Sequence, residues 1–261
     1  CDHVLGIARV HRERATIFRR RAEFERARRE YEAALDLYAD SGFEAARIDL
    51  QNFLGYTWLA QGDLERAESR FQSALDHARR IGSAPKEASC WNHLGDAARY
   101  RGEWETAESR YRRAWGMAGG AASPKAQLVH LNLALAAVAA SRPDEADHHL
   151  RECGGRYGYL QTTTDLCRLC IAGLRSEWSA WDRRLEAARA ALSRSEGLEP
   201  DEAWLCERAG EIASAAGSFD RARAVLSLAR DLWRDLGHER RSRTCDERQH
   251  NLSATSQGDD E

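Results

Sequence analysis

Small and large apolar residues recur along this chain at fixed spacings, and the clearest instance is a pair of segments 40 residues apart. The stretch GDLERAESRFQSAL at 62–75 matches GEWETAESRYRRAW at 102–115 in its small, apolar and acidic positions. Self-similarity with a period of this size is typical of proteins built from stacked repeats. We therefore predict a repeat architecture, in which each unit contacts its neighbours in sequence.

The register can be followed over six repeats, aligned on one position in the first half of each. That position is small in every repeat but the fifth: Ala15, Gly55, Gly95, Ala134, Leu169 and Gly210. A turn position follows seven residues later: Ala22, Gly62, Gly102, Ser141, Ser176 and Gly217. Gly62 precedes Asp63, which places a helix-ending glycine before an N-cap residue. Each repeat is therefore predicted to be a helix–turn–helix.

Three further positions complete the pattern. A small residue recurs twelve positions after the first, with one exception in the fifth repeat: Ala27, Ala67, Ala107, Ala146, Trp181 and Ala222. A large apolar residue recurs after sixteen positions: Tyr31, Phe71, Tyr111, Leu150, Leu185 and Leu226. A small residue recurs after nineteen: Ala34, Ala74, Ala114, Cys153, Ala188 and Ala229. Spacings of three, four and seven put these residues on core-facing helix stripes. The small residues let the paired helices approach, and the large residue fills the gap toward the next repeat.

Repeats two and three resemble the tetratricopeptide repeat. Repeat three fills that family's slots with Trp91, Leu94, Gly95, Gly102, Ala107, Tyr111 and Ala114. Repeat two fills nearly the same slots with Leu54, Gly55, Trp58, Gly62, Ala67, Phe71 and Ala74. The likeness covers about residues 8–236, although the period of 35–41 residues is longer than usual and the closing proline is absent. It implies an all-α fold, an α-solenoid of about six repeats wound into a right-handed superhelix.

The predicted solenoid occupies residues 1–236. Its repeats lie near 8–47, 48–87, 88–126, 127–161, 162–202 and 203–236. Residues 237–250 are predicted to form a polar capping helix, which a stack of repeats needs at its end. Residues 251–261 have the composition of a disordered tail.

Composition favours an all-helical protein with no nucleic-acid or membrane partner. Ala, Leu, Arg and Glu dominate, and all are good helix formers. The formal net charge is −3, which gives no general attraction to polyanions. The most apolar stretch, 126–141, is interrupted by His130 and Asn132 and is too short to span a bilayer. Seven cysteines at irregular spacing indicate reduced thiols and a cytoplasmic location.

The first residue is Cys1 and the only methionine is Met117, so we expect a fragment of a larger protein. The alternative is a mature lipoprotein beginning with a lipidated cysteine.

Chemical motifs are few, and we predict no catalytic residues, no cofactor and no metal. There is no G-x-S-x-G elbow, phosphate-binding loop or H-E-x-x-H pattern. Cys167-x-x-Cys170 has the spacing of a metal or redox pair, with His148, His149 and Cys153 upstream. The alternative is helix packing, because Cys153 falls on a small-residue position of the repeat. Residues 9–30 carry nine Arg against four Glu, which indicates either a surface for phosphate or an acidic partner or a solvated helix pair next to a removed neighbour domain.

The family resemblance implies a peptide-binding groove lined by the first helix of each repeat. An asparagine early in that helix often bonds a bound peptide, and Asn52 and Asn92 occupy this position, with Asn132 near it. Other groove candidates on the same faces are Tyr56, Asp96, Arg99 and Tyr100. Repeats four and five are expected to present apolar groups there instead: Leu131, Leu135, Val138 and Cys170.

These observations predict a non-catalytic interaction module that binds a peptide, a partner domain or a missing N-terminal region of its own protein. The segments 176–192 and 210–237 resemble the C-terminal ends of bacterial signalling proteins with an N-terminal Ser/Thr kinase domain. That resemblance implies a kinase-associated scaffold. The alternative is the sensor solenoid of an ATP-dependent (STAND-type) transcription regulator that binds a small inducer or an inhibitory protein.

Overall fold

A computed structural model describes residues 2–39, 42–117, 124–153, 161–194 and 199–258. Within these ranges every regular element is a helix, so the all-α prediction is confirmed. The thirteen helices of the described residues are α1 Asp2–Arg20, α2 Phe24–Leu37, α3 Glu44–Gln61, α4 Leu64–Arg80, α5 Ala84–Tyr100, α6 Trp104–Met117, α7 Pro124–Ala139, α8 Pro143–Cys153, α9 Gln161–Leu174, α10 Trp178–Leu192, α11 Pro200–Ala215, α12 Phe219–Asp235 and α13 Glu239–Gly258.

Each of the six predicted turns joins the two helices of one repeat. All six turn residues have positive φ, including the non-glycine residues Ala22, Ser141 and Ser176 at 57°, 57° and 58°. In repeat two the Gly62 N–H bonds the Leu59 carbonyl at 2.9 Å and the Asp63 N–H bonds the Trp58 carbonyl at 3.0 Å. This pair of bonds is a Schellman motif, which ends α3 and satisfies its last carbonyls.

The large residue of each glycine-containing repeat lies directly on that repeat's own glycine. A Cβ atom added at Gly55 would lie 2.5 Å from the Phe71 ring, and one at Gly210 would lie 2.5 Å from Leu226 Cγ. Phe71 also stacks on His93 of the next repeat, with ring centroids 5.2 Å apart. The large residue therefore fills two gaps: one inside its own helix pair and the predicted one toward the next repeat.

Repeat five also packs a large side chain on a glycine, but the two residues stand at other positions of the repeat. Trp181 occupies a position that holds alanine in the other repeats, and it is fully buried. Its space comes from Gly173, where a Cβ would lie 2.7 Å from Trp181 Cζ3. The small residue of this repeat has thus moved from position 169, where a buried leucine stands, to position 173.

The chain divides into two compact units, an N-terminal unit of residues 1–136 and a C-terminal unit of residues 137–261. In the N-terminal unit, α1 to α6 pack in sequence, each on the next. In the C-terminal unit, α9 packs on α10 and α11, and α12 packs on α11 and α13. A single solenoid over 1–236 and its superhelical handedness stay predictions.

The end of the described chain is one helix, α13, which runs to Gly258. The predicted boundary between a capping helix at 237–250 and a disordered tail at 251–261 falls inside this helix. Residues 259–261 lie outside the described residues, and the division itself stays a prediction.

Candidate functional site

Polar residues from three successive first helices meet in the N-terminal unit. Asn52, Asn92 and Asn132 lie on α3, α5 and α7, exactly one 40-residue period apart. Asn132 Nδ2 donates to Asn92 Oδ1 at 2.9 Å and to Asp96 Oδ1 at 3.1 Å. Asn52 Nδ2 donates to Cys90 Sγ at 3.4 Å. The common repeat register therefore aligns these three amides along neighbouring helices.

Asp96 is the centre of a buried hydrogen-bond network. The Tyr111 hydroxyl donates to Asp96 Oδ1 at 2.8 Å, and Arg99 Nε donates to the Tyr111 hydroxyl at 3.2 Å. Asp96 and Arg99 are only 5% and 3% exposed. Burial, followed by the nearby Asp96 carboxylate, raises the pKa of Tyr111 well above its ordinary value, so Tyr111 stays a neutral donor. These partners offset the cost of burying a carboxylate and a guanidinium.

The half-buried members of the cluster are aromatic. Tyr56 lies edge-on to His93, with ring centroids 6.2 Å apart, and the Arg19 guanidinium lies 4.8 Å from the Tyr56 centroid. The Arg99 guanidinium lies 4.8 Å from the Tyr100 ring in the same manner. The accessible part of the cluster is therefore a set of aromatic faces beside cations.

Sequence reasoning missed His93, which contacts both Phe71 and Asp96. Its Nδ1 lies 3.4 Å from Asp96 Oδ2, and its ring stacks on Phe71. The repeat period contained the signal: Phe53, one period earlier, stacks in the same way on Tyr31, the large residue of its preceding repeat. A position that stacks on the previous repeat's large residue could have been read from the alignment.

Among the described residues, three buried side-chain oxygens on first helices of the N-terminal unit lack a hydrogen-bond partner: Gln51 Oε1, Asn52 Oδ1 and Gln127 Oε1. Asn52 and Gln127 are 2% and 8% exposed, and Gln51 is half-buried. Buried polar atoms are nearly always paired in folded proteins, so an unpaired one is a candidate for contact with a ligand.

The structure buries most of the predicted groove residues. Five of the seven are less than a tenth exposed: Asn52, Asn92, Asp96, Arg99 and Asn132. Tyr56 and Tyr100 are half-buried. Four of the buried five belong to the Asp96 network, and the binding role of all seven stays a prediction.

The apolar groove expected in repeats four and five is not presented to solvent. Leu131, Leu135, Val138 and Cys170 are at most 2% exposed, because they belong to the protein core. That expectation was wrong, since it took side chains that pack between helices for side chains that face a groove.

The cysteine pair Cys167 and Cys170 is fully buried among helices. Cys170 Sγ donates to the Leu205 carbonyl at 3.5 Å, and burial raises the pKa of this thiol to about 12. Within the described part of the chain, no group of three or more His, Cys, Asp or Glu side chains is placed to hold a metal ion. This geometry favours a role in helix packing for Cys167 and Cys170.

None of the described helices combines the length and the apolar character needed to cross a membrane.

Comparison with known proteins agrees with the repeat pattern. The tetratricopeptide repeat family matches residues 44–119. Among curated proteins, none matches the sequence at a significant level.

Solved structures extend the similarity in fold to most of the chain. The Rap conjugation gene regulator of plasmid pLS20, in complex with the Phr* peptide, has a TM-score of 0.70 at 16% identity and covers 95% of this chain and 64% of its own. A Rap protein complexed with Competence and Sporulation Factor has a TM-score of 0.54 at 15% identity and covers 98% and 65%. Cut9–Hcn1 of the APC/C has a TM-score of 0.59 at 14% identity and covers 82% and 38%.

This chain therefore spans less than two thirds of the length of the two Rap chains. At these identities the likeness concerns the fold alone. Together with the match at 44–119, it supports an array of tetratricopeptide-type repeats.

Proposed function

We propose that the N-terminal unit is a non-catalytic module that binds a peptide segment of a partner protein, with Asn52 and Tyr56 as its main contacts. The Asn52 amide is the observation that carries this proposal, because it is buried and its oxygen has no hydrogen-bond partner in the described part of the chain. An unpaired buried polar group costs about 1–3 kcal/mol. A ligand that displaces the side chains covering this amide and bonds it removes the cost.

A peptide backbone suits this amide in either orientation. In the orientation that the structure gives, the Asn52 side-chain oxygen lacks a donor. If the amide is flipped so that its oxygen and nitrogen change places, the nitrogen lacks an acceptor instead. A peptide carries both an N–H and a carbonyl on nearly every residue, so an extended segment can satisfy either arrangement. Tyr56, one helical turn along α3, supplies a half-buried aromatic face for the segment's side chains.

The similar structures give independent support. One Rap protein of similar fold is in complex with the Phr* peptide, and another is complexed with Competence and Sporulation Factor. In the present chain, the Asp96 network ties α5 to α6 and α7, and α5 is the helix that Asn52 contacts through Cys90, so this side of the site is preorganised.

The test uses peptides selected from a random display library, about 12 residues long, against the full chain. We expect Asn52→Ala to weaken binding of a selected peptide at least about tenfold, a loss of about 1.4 kcal/mol. The melting temperature should change little, because among the described residues the Asn52 side chain hydrogen-bonds only the Cys90 thiol. Fluorescence anisotropy measures the first quantity and circular dichroism the second.

The matched control is Gln72→Ala on α4, whose exposed amide bonds Asp76 at 3.0 Å. It removes an amide of similar size and should leave peptide affinity unchanged. Asn92→Ala is a poor probe, because it leaves the buried Asn132 amide short of one acceptor. Equal affinities for Asn52→Ala and the unmodified chain, or a library that yields no binder, would refute the proposal.

We further propose, from the resemblance of 176–192 and 210–237, that these repeats belong to a bacterial signalling protein with a Ser/Thr kinase domain. The alternative remains a STAND-type regulator whose repeats bind a small inducer or an inhibitory protein. A kinase domain encoded upstream of residue 1 favours the first, and a nucleotide-switch domain alone favours the second. A cytoplasmic location is part of this proposal and rests on the six free cysteines of the described chain.

A further inference from the structure

One face of helix α1 carries apolar side chains that are open to solvent. In the described ranges, three of the four exposed large hydrophobic residues lie on it: Ile7, Val10 and Ile17 are 37%, 56% and 50% exposed, and Ile81 at the end of α4 is the fourth. Separations of three and seven residues put the three on one helix face. A Cβ added at Gly6, on the edge of that face, would meet no atom within 4 Å.

The equivalent positions of the next two repeats form contacts between helices. One period after Val10, Arg14 and Ile17 come Leu50, Leu54 and Thr57 on α3; two periods after come Cys90, Leu94 and Ala97 on α5. None of these six residues is more than 2% exposed. Leu50 and Leu54 pack in one core cluster with Ala8, Ala15 and Tyr31 of the preceding repeat. This face is thus the one that a first helix turns toward the helix pair before it.

The charges around the face indicate the chemistry of what it contacts. Arg14 stands where the later repeats have leucine, and it is 53% exposed while its guanidinium lies 2.9 Å from Glu30. Six arginines and one glutamate lie between positions 9 and 21. Arg9 precedes Val10, and Arg20 and Arg21 lie three and four residues after Ile17; all three are exposed and are called the rim arginines below. An occupant therefore needs apolar residues at helical spacing and carboxylates beside them.

We propose that this face of α1 docks an acidic amphipathic helix from a partner protein. The occupant's apolar residues pack on Ile7, Val10 and Ile17, and its carboxylates pair with Arg14 and the rim arginines. A helix is the expected partner because the same positions on α3 and α5 already dock helices inside this chain. Its contact residues are not those of the proposed peptide site around Asn52 and Tyr56, so this proposal is tested independently of the proposed function.

The experiment uses two synthetic helical probes of about three heptads, with identical leucines at the a and d positions. One carries Glu and the other carries Lys at the flanking e and g positions. We expect the full chain to bind the Glu probe at least about tenfold more tightly than the Lys probe, with an affinity that falls as salt rises.

Substitutions on α1 locate the binding face. Val10→Ser and Ile17→Ser should each weaken binding of the Glu probe about three- to tenfold, because each removes exposed apolar area that the probe would bury. Ile81→Ser is the matched control: it removes an apolar side chain of similar exposure, 40%, elsewhere on the N-terminal unit. Arg14→Gln should reduce the preference for Glu over Lys. Helicity and melting should stay unchanged in the three serine variants.

Four results would overturn the proposal. They are equal binding of the two probes, no binding of the Glu probe at about 100 µM, a dimer in sedimentation that Val10→Ser dissociates, and capture by vesicles containing anionic lipid that Val10→Ser abolishes. The third would assign the face to a second copy of the chain, and the fourth would assign it to a membrane surface.

Discussion

Gly95→Ala tests the contact on which the repeat depends, a large side chain lying on a glycine. A Cβ at position 95 would lie 2.6 Å from Tyr111 Cδ1 and closer still to Cε1, whereas carbon atoms in favourable contact are about 3.5–4.0 Å apart. The ring would have to move by about 1 Å. It cannot do so freely, because Tyr111 is fully buried and its hydroxyl bonds both Asp96 and Arg99.

The expected magnitude follows from two opposing effects. Overpacking a core typically costs about 1–3 kcal/mol, more where the neighbours are fixed. Replacing a helical glycine by alanine gains about 1 kcal/mol. The loss of bonds to the Tyr111 hydroxyl adds about 1 kcal/mol to the cost, so we expect a net destabilisation of about 2 kcal/mol.

Urea unfolding followed by circular dichroism measures this effect. The matched control is Gly6→Ala on α1, where a Cβ meets nothing within 4 Å, so the variant should be more stable than the parent by about 0.5–1 kcal/mol. Combining Gly95→Ala with Tyr111→Ala should cost less than the sum of the two single changes, because the clash is then absent. If Gly95→Ala and Gly6→Ala change stability equally, the explanation of the repeat by close contact at glycine is wrong.

Two other features give further predictions. Burial, together with the charge of Glu199, raises the pKa of Glu202 from 4.5 to about 7. Between pH 4.5 and pH 7, the Glu202 carboxyl is therefore protonated in the folded chain and ionised in the unfolded chain. The free energy of unfolding should therefore fall as pH rises from about 4.5 to 7, by about 3 kcal/mol relative to Glu202→Gln, and equal pH dependence of the two proteins would contradict this. The described cysteines are all buried, and burial raises the pKa of Cys90 to about 11 and of Cys245 to about 12. With Cys1 replaced by Ser, a thiol reagent such as DTNB should react slowly with native protein and reach six thiols only after denaturation, and fast reaction of native protein would show that these thiols are accessible.

Turns and helix pairing could be predicted from the sequence because they depend on local chemistry. A residue seven positions after the small residue needs positive φ in every repeat, and glycine or a small residue supplies it. The glycine contacts with Phe71 and Leu226 were not predicted, because the pattern assigned the large residue only to the gap toward the next repeat.

The packing of repeat five could not be predicted in the same way. The alignment marks Leu169 and Trp181 as misfits at their two positions, but it does not say where the room for an indole comes from. That room comes from Gly173, a residue outside the repeated positions. Such a compensating pair becomes visible only when both helices are in place, because the two residues satisfy a volume requirement and not a local conformational one.

The candidate binding site was the least predictable feature, because a polar residue on a first helix can face a groove or the next helix. The periodicity of the sequence gives the direction of a helical side chain only to within about one of the 3.6 residue positions in each turn. For Asn92 and Asn132, that uncertainty separates a solvent-facing amide from one that bonds a neighbouring helix at 2.9 Å.

Comparison of the repeats explains why two predicted site residues are internal. In repeat three the large residue is Tyr111, and its buried hydroxyl donates to Asp96 and accepts from Arg99. Repeat one also has a tyrosine, Tyr31, whose hydroxyl lies 3.0 Å from Thr16 Oγ1, the residue equivalent to Asp96. A tyrosine at this position is therefore accompanied by a polar residue on the first helix, as a buried hydroxyl requires.

Repeat two lacks the hydroxyl, which favours Asn52 as the proposed ligand contact. Its large residue is Phe71, and a fully buried leucine, Leu59, takes the place of the arginine. Tyr56 stands one period before Asp96 and is half-buried. Because Phe71 has no hydroxyl, no hydrogen bond from position 56 to the large residue is required. The polar side chains of repeat three thus hydrogen-bond one another, whereas the Asn52 oxygen of repeat two has no hydrogen-bond partner among the described residues. A peptide contact in this unit is therefore expected at repeat two, and substitutions of Asp96 or Arg99 should act on stability first.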